Sequence, residues 1–220
     1  MLGIGKIVFG SNLTLIDKYA FEYCSNLTDI TIPQDSSFAV EGQAFQYSGV
    51  TNECVSNILA HASSIGIRIF WGCESITEVD ANKSSRELFR DCTNLVKAVL
   101  RDITSIDRNV FSGCTSLTTV YLPSTINSDA YDSLTSTGSA YYVFDGCTNL
   151  EDVQLGPDWS MSLRLDVSNN ITVDSMVAMF NSLKDLTGAT AKTLTLGPTN
   201  LAKLTDDQKA IAINKNWVLV

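Results

Sequence analysis

A phenylalanine followed three residues later by cysteine, and three after that by leucine or isoleucine, occurs five times in this chain. The copies are Phe21-Cys24-Leu27, Phe70-Cys73-Ile76, Phe89-Cys92-Leu95, Phe111-Cys114-Leu117 and Phe144-Cys147-Leu150. Each runs on in register to an apolar residue three further on and another two beyond that: Ile30/Ile32, Val79/Ala81, Ala98/Leu100, Val120/Leu122 and Val153/Leu155. A unit this short cannot bury an apolar face alone, so the copies must stack and bury their faces against one another. The repeat predicts a solenoid; it names no ligand.

Phe45 marks a further, decayed copy. Ala44-Phe45-Gln46-Tyr47-Ser48 matches Ala20-Phe21-Glu22-Tyr23-Cys24, with serine in the cysteine place. The interval between phenylalanines is mostly in the low twenties, the range of leucine-rich repeats. Within a unit, the paired apolar residues spaced by two are a short strand with inward side chains; Val120 and Leu122 point in, Thr119 and Tyr121 out. Pro33, Pro123 and Pro157 follow such strands and end them, since proline cannot donate to a ladder. The segment around each phenylalanine is too short for a full helix and predicts one helical turn on the convex side. Burying each ring contributes roughly 1.5–3 kcal/mol.

The pattern changes near residue 160. Residues 1–157 read as the solenoid and 158–220 as a C-terminal cap continuing it as strand, helix, strand, helix, strand. Leu163 to Val167 alternates like a strand; Val173 to Leu186 has a helical period, with Thr172 as N-cap and Gly188 as the stop. Thr193 to Gly197 is a strand, Thr205-Asp206-Asp207-Gln208 has capping-box form for a helix to about Asn214, and Asn216 to Val220 closes as a strand. The expected architecture is α/β: a right-handed solenoid of eight to ten rungs, with a parallel sheet, short convex-side turns and a helix-bearing cap. No comparable lid precedes Lys6, so the first rung is expected to present an open edge that a longer array, its own charge or a partner would cover.

The net charge of −9 argues against nucleic acid or an anionic membrane surface as partner. No apolar run approaches the ~18–20 residues that span a bilayer. The start, Met1 to Lys6, has neither the apolar stretch nor the cleavage site of a signal peptide. Of the six cysteines, five hold one place in the repeat and read as buried free thiols used for their volume; Cys54 lies outside it. No Cys-x-x-Cys pair, phosphate loop, dinucleotide fingerprint or calcium loop occurs, so no cofactor or metal is expected. The single histidine, His61, lies seven residues from Cys54; on a helix that is about 10 Å, too far for direct proton transfer. Asp206 and Asp207 suit the first turn of a helix. No catalytic residues are assigned.

The blocks Ala20 to Pro33 and Val110 to Pro123 resemble the bacterial surface-antigen type of leucine-rich repeat, often called BspA-like, over about residues 6–157. The resemblance implies surface display or secretion and adhesion to host or bacterial proteins, and no catalytic residues. The tail, including Leu194 to Gly197, Asn200 to Thr205 and Trp217, resembles C-terminal segments of such proteins in gut bacteria and their phages. The expected function is a non-enzymatic module binding a protein or a glycan. The alternative is a spacer within a larger surface or phage-associated protein.

Recognition then falls to whatever faces outward or interrupts the repeat. The outward strand positions are Asp29/Thr31, Glu78/Asp80, Lys97/Val99, Thr119/Tyr121, Asp152/Gln154 and Arg164/Asp166. The longest interruption, Ser124 to Tyr142, has the Tyr, Ser, Thr and Gly content of adaptable binding loops. The candidate ligand contacts are Asp29, Glu78, Asp80, Lys97, Tyr121 and Gln154 on the sheet, with Tyr131, Tyr141 and Tyr142 in the insertion. Trp71 is a second, convex-side aromatic candidate.

Overall fold

The computed structural model describes residues 3–129, 134–136 and 142–220. The first part of the chain holds β1 (Lys6–Val8), β2 (Leu15–Ile16), β3 (Asp29–Thr31), β4 (Phe38–Val40), α1 (Asn52–His61) and β5 (Ala62–Ile65). The middle holds β6 (Glu78–Ala81), β7 (Lys97–Leu100), β8 (Ser105–Ile106), β9 (Thr119–Leu122), β10 (Ser128–Asp129) and β11 (Asp152–Leu155). The end holds β12 (Leu163–Arg164), α2 (Val173–Ser182), β13 (Lys192–Thr195), α3 (Gly197–Leu201), α4 (Asp206–Ile213) and β14 (Trp217–Leu219). All pairings between these strands are parallel, as a chain coiling in one direction requires.

The repeat register is the packing register. Val79, Ala98, Val120 and Val153 sit side by side across β6, β7, β9 and β11, and all four point into the core. Behind them the phenylalanine rings stack rung on rung. Their centroids lie 5.2 Å apart for Phe21–Phe45, 6.0 Å for Phe45–Phe70, 5.7 Å for Phe70–Phe89, 6.0 Å for Phe89–Phe111 and 5.9 Å for Phe111–Phe144.

The cysteines do more than fill volume. Four of the five repeat thiols donate to the carbonyl of the preceding rung's phenylalanine: Cys73 to Phe45 O at 3.0 Å, Cys92 to Phe70 O at 3.1 Å, Cys114 to Phe89 O at 3.1 Å and Cys147 to Phe111 O at 3.0 Å. All six cysteines are free. Burial pushes the Cys73 thiol up to about 12, and it pushes Cys92, Cys114 and Cys147 up as well. These thiols therefore stay protonated and serve as donors.

The phenylalanine segments are successive turns, not the helical turn expected. The residue two after each phenylalanine is left-handed: Tyr23, Tyr47, Gly72, Asp91, Gly113 and Gly146. That conformation swings peptide groups out to the next rung, as in Phe89 N to Val110 O (3.0 Å) and Asp91 N to Ser112 O (2.7 Å). A helix would have kept those bonds to itself. At Gly72 the neighbour also demands glycine, since a Cβ there would lie 2.1 Å from the Tyr47 ring.

The strands do not form the single sheet expected. Among the described residues they pair as five parallel sheets: β1–β3, β2–β4–β5, β6–β7–β9–β11, β8–β10 and β12–β13–β14. The break in the main face is α1, which stands between β3 and β6 where a strand was due. Its side chains replace the missing ladder: Asn52 Oδ1 accepts from Thr77 N (2.9 Å) and Glu78 N (3.2 Å), and the Cys54 thiol donates to Thr28 O. Thr51 caps the helix, and Cys54, Val55, Ile58 and Leu59 form its buried stripe.

Within residues 158–220 some elements fall where expected and others differ locally. Thr172 caps α2 and Thr205 closes a full capping box on α4, both as expected. However, α2 stops at Ser182, short of Leu186, because Trp159 N bonds Ser182 O and Lys184 N bonds Trp159 O, pulling the chain extended. The strand expected over 163–167 is only β12, with a turn following it, and the short α3 with Pro198 in its first turn was not anticipated. One decayed repeat was overlooked. Leu165, Ser168 and Ile171 keep the three-residue spacing and are all fully buried.

At the other end the core thins. Ile7, Phe9, Leu13, Phe21 and Cys24 are only partly buried, and Phe9 meets Phe21 edge-on at 6.0 Å where later rings stack flat.

Candidate functional site

The four-stranded sheet β6–β7–β9–β11 is the largest sheet among the described residues, and its two edges are closed by helices. Asn52 of α1 occupies the edge at β6, as above. At β11, Ser175 of α2 accepts from Val153 N (2.8 Å) and donates to Val153 O (3.3 Å). The outward side chains on this floor form two aligned rows, Glu78–Lys97–Thr119–Asp152 and Asp80–Val99–Tyr121–Gln154.

Two depressions run into one another along the floor. The smaller, about 250 Å³, lies between Asn52 and Ser56 of α1 and the strand residues Glu78, Asp80, Lys97 and Arg101. The larger, about 470 Å³, is floored by Val99 and Tyr121 and ringed by Lys97, Arg101, Thr119, Asp152 and Gln154. Arg101 holds Asp80 through both carboxylate oxygens, at 2.8 and 2.7 Å, and this raises its already high pKa. Gln154 Nε2 donates to Asp152 Oδ2 at 2.6 Å. Lys97, Thr119 and Tyr121 make no side-chain hydrogen bond or ion pair among the described residues. Three uncommitted donors and acceptors thus converge on one half-apolar hollow, the usual composition of a ligand site.

Of the expected contacts, the structure brings Glu78, Asp80, Lys97, Tyr121 and Gln154 together here. Asp29 stands apart on β3, across α1, paired with Lys6 at 2.7 Å. Arg164 and Asp166 do not continue the stripe, because β12 belongs to the cap sheet; the two are ion-paired with each other, and Arg164 Nη2 donates to Asp166 Oδ2 at 3.2 Å. Tyr142 is not a surface contact. It is buried, its ring lies under the Arg164 guanidinium, and its hydroxyl donates to Arg164 O; burial raises its pKa. Tyr131 and Tyr141 lie outside the described residues. The insertion leaves β9 through β10, which pairs with β8 in a separate two-stranded sheet, so its start does not extend this floor.

Arg101 and the α1 wall were missed. Arg101 extends the alternation of Lys97 and Val99 by one step past the strand, which the spacing of two shows. The helix is signalled by Thr51 followed by apolar residues at 54, 55, 58 and 59.

Elsewhere the candidates are engaged internally. Trp71 is half-buried, donates to Asp91 Oδ2 at 2.8 Å and lies under Arg68 and Arg90 at 4.9 and 5.1 Å. Beside it, the buried Glu87 carboxylate is ion-paired with Arg68 and with Arg90 at 3.8 Å. His61 Nδ1 and Nε2 face Asn57 O (2.8 Å) and Gln34 O (3.2 Å), while Cys54 bonds Thr28 O and Thr51. No group of three or more metal-ligating side chains clusters among the described residues.

The stacked phenylalanines, parallel strands and turn-built convex side define a leucine-rich-repeat solenoid. Comparison with known proteins agrees. The family model described as the BspA type leucine rich repeat region matches in six copies over residues 2–88 and 40–140. This chain belongs to that family. A solved structure, a leucine-rich repeat protein from Bacteroides ovatus, superposes with a TM-score of 0.51 at 16% identity over 98% of this chain. The chain spans about half of that protein, 54% of its length. No curated protein matches the chain.

Proposed function

We propose that the protein is a non-enzymatic binding module that recognises its partner on the floor between α1 and α2, displayed at a cell surface or secreted. The observation that carries this is the convergence of Lys97, Thr119 and Tyr121, none of them committed within the chain, on an open hollow whose sheet edges are closed. Repeat solenoids in general bind through such faces. Because Asn52 and Ser175 occupy both edges, a partner is read by side chains and not by adding a strand.

The test compares two surface variants for binding to immobilised bacterial and host cells. Lys97→Glu combined with Arg101→Glu is expected to weaken binding at least about tenfold, the size of one lost charged contact or more. Tyr23→Ala, on the convex side, is expected to leave it unchanged. If both variants bind like the parent, the floor is not the recognition face and the protein acts as a spacer.

A further inference from the structure

The larger hollow on the floor fits one class of ligand better than others. Resting on the proposed binding role, we infer that the Tyr121–Val99 hollow is a subsite for a neutral pyranose residue of a glycan. Three features of the hollow point there.

The first is its floor. Tyr121 and Val99 are paired in register and both half-buried, so they present a small aromatic-aliphatic platform without a deep apolar cavity. A sugar ring has one C–H face that suits such a platform, since polarised C–H groups are drawn to the negative face of an aromatic ring. An apolar ligand would gain little from a hollow this open and shallow.

The second is the rim. Thr119 Oγ1, the Tyr121 hydroxyl and the Lys97 ammonium carry no internal partner, and the Gln154 amide and Asp152 carboxylate stand opposite them. Donors and acceptors are both present around the platform, as the hydroxyls of a pyranose require. The third is charge. Arg101 is neutralised by Asp80, and Lys97 stands in one row with two carboxylates, Glu78 beside it in register and Asp152 beyond Thr119, so the floor carries no surplus of positive charge. An anionic ligand would therefore find no surplus of opposite charge. The volume of about 470 Å³ lies within the range of small-ligand sites and leaves the hollow open for the chain to continue over the smaller depression beside α1.

The experiment is an array of defined neutral, sialylated and sulfated oligosaccharides probed with the full chain, followed by calorimetric titration of the strongest binder. Neutral glycans are expected to bind. Tyr121→Ala should abolish that binding or weaken it at least about tenfold, while Tyr121→Phe, which keeps the platform and loses one hydroxyl, should cost about fivefold. Both variants should melt within a few degrees of the parent, because Tyr121 points away from the core; Thr119→Val, with an about twofold to tenfold loss, gives a second reading if Tyr121→Ala is unstable. Binding only to charged glycans, or neutral binding indifferent to Tyr121 and Thr119, overturns the inference. If no glycan binds but Lys97→Glu/Arg101→Glu still weakens attachment to protease-sensitive cell-surface sites, the glycan inference fails and the floor as recognition face stands. If neither assay responds, both fail.

Discussion

The repeat body from Phe70 to Leu122 and the cap from residue 158 onward stack on one core, yet they join rung to rung by different means. In the body the backbone does most of the joining, helped by one short thiol donor per rung and by scattered side-chain bridges to the adjacent rung, such as Arg101 to Asp80 and Trp71 to Asp91. In the cap long polar side chains take over. Lys215 Nζ donates to Phe180 O, Asn181 O and Leu183 O at 2.9–3.0 Å, Lys203 Nζ to Asn169 O and Ile171 O, and Asn216 Nδ2 to Leu186 O and Ala189 O. A unit that repeats can leave its unpaired groups to the next copy. A unit that terminates, or that places a helix in a strand slot, has to satisfy carbonyls and amides from its own side chains.

The contrast is broken most severely by alkali. The cap contains no cysteine, whereas the body thiols are held up by burial, Cys73 to about 12 from an ordinary 9.0. Below pH 9 both folded and unfolded chains keep these protons and the stability is intact. Between pH 9 and about 12 the unfolded chain releases them and the folded chain does not, so stability falls as pH rises. Cys73 alone removes about 1.4 kcal/mol per pH unit across this window, and Cys92 and Cys114, shifted in the same direction by burial, add to the loss. Denaturant titrations at stepped pH, followed by circular dichroism, should show a steep loss in this window. A flat profile up to pH 11 would mean the thiols are not buried donors.

Next in size is the ring ladder. Phe89 is fully buried between Phe70 and Phe111, and Phe89→Ala is expected to cost about 3–5 kcal/mol in chemical denaturation. Phe9→Ala, at the half-buried edge-on position, should cost less than half as much. Equal losses would show that the first rung is as tightly built as the middle.

How much of this was legible follows from how each region is held. Phe, Cys and Leu at spacing three, with an apolar pair at spacing two, dictate inward positions directly, and Val79, Ala98, Val120 and Val153 are where that code puts them. Period alone cannot show that α1 takes a strand slot, because the exchange depends on Asn52 Oδ1 meeting the Thr77 and Glu78 amides across 25 and 26 residues of chain. The same holds for the end of α2, set by Trp159 and Lys215 rather than by Gly188. On the floor, Glu78, Asp80, Lys97, Tyr121 and Gln154 follow from alternation. Tyr142 does not, since its composition suggests a binding loop while its hydroxyl is spent inside on Arg164 O.

The cap side of the comparison is sharpened by Lys215→Met, which keeps the aliphatic stem and removes the ammonium. Three carbonyls at the end of α2 lose a charged donor, and the expected loss is about 2–3 kcal/mol. Hydrogen exchange should quicken in the last turn of α2 and leave the amides of Phe89 and Asp91 protected. Uniform quickening along the chain would mean that the cap limits the stability of every rung.

The smallest effect is expected where the body borrows the chemistry of its own decayed copy. Ser48 holds the cysteine place, and its hydroxyl turns to its own rung's Phe45 O at 2.7 Å, lying 3.6 Å from Cys73 Sγ. Cys92→Ser should behave alike: the shorter C–O bond gives up Phe70 O and turns to Phe89 O. Phe70 O keeps the Cys73 amide at 3.3 Å, so no carbonyl is orphaned, and the loss should stay near 1 kcal/mol, most of it the smaller volume. Cys92→Asp, which places a carboxylate in the same closed slot, should fail to fold at neutral pH. A loss above about 3 kcal/mol for the serine variant would mean that the bond from each thiol to the neighbouring rung, rather than the thiol's bulk, is what couples the rungs.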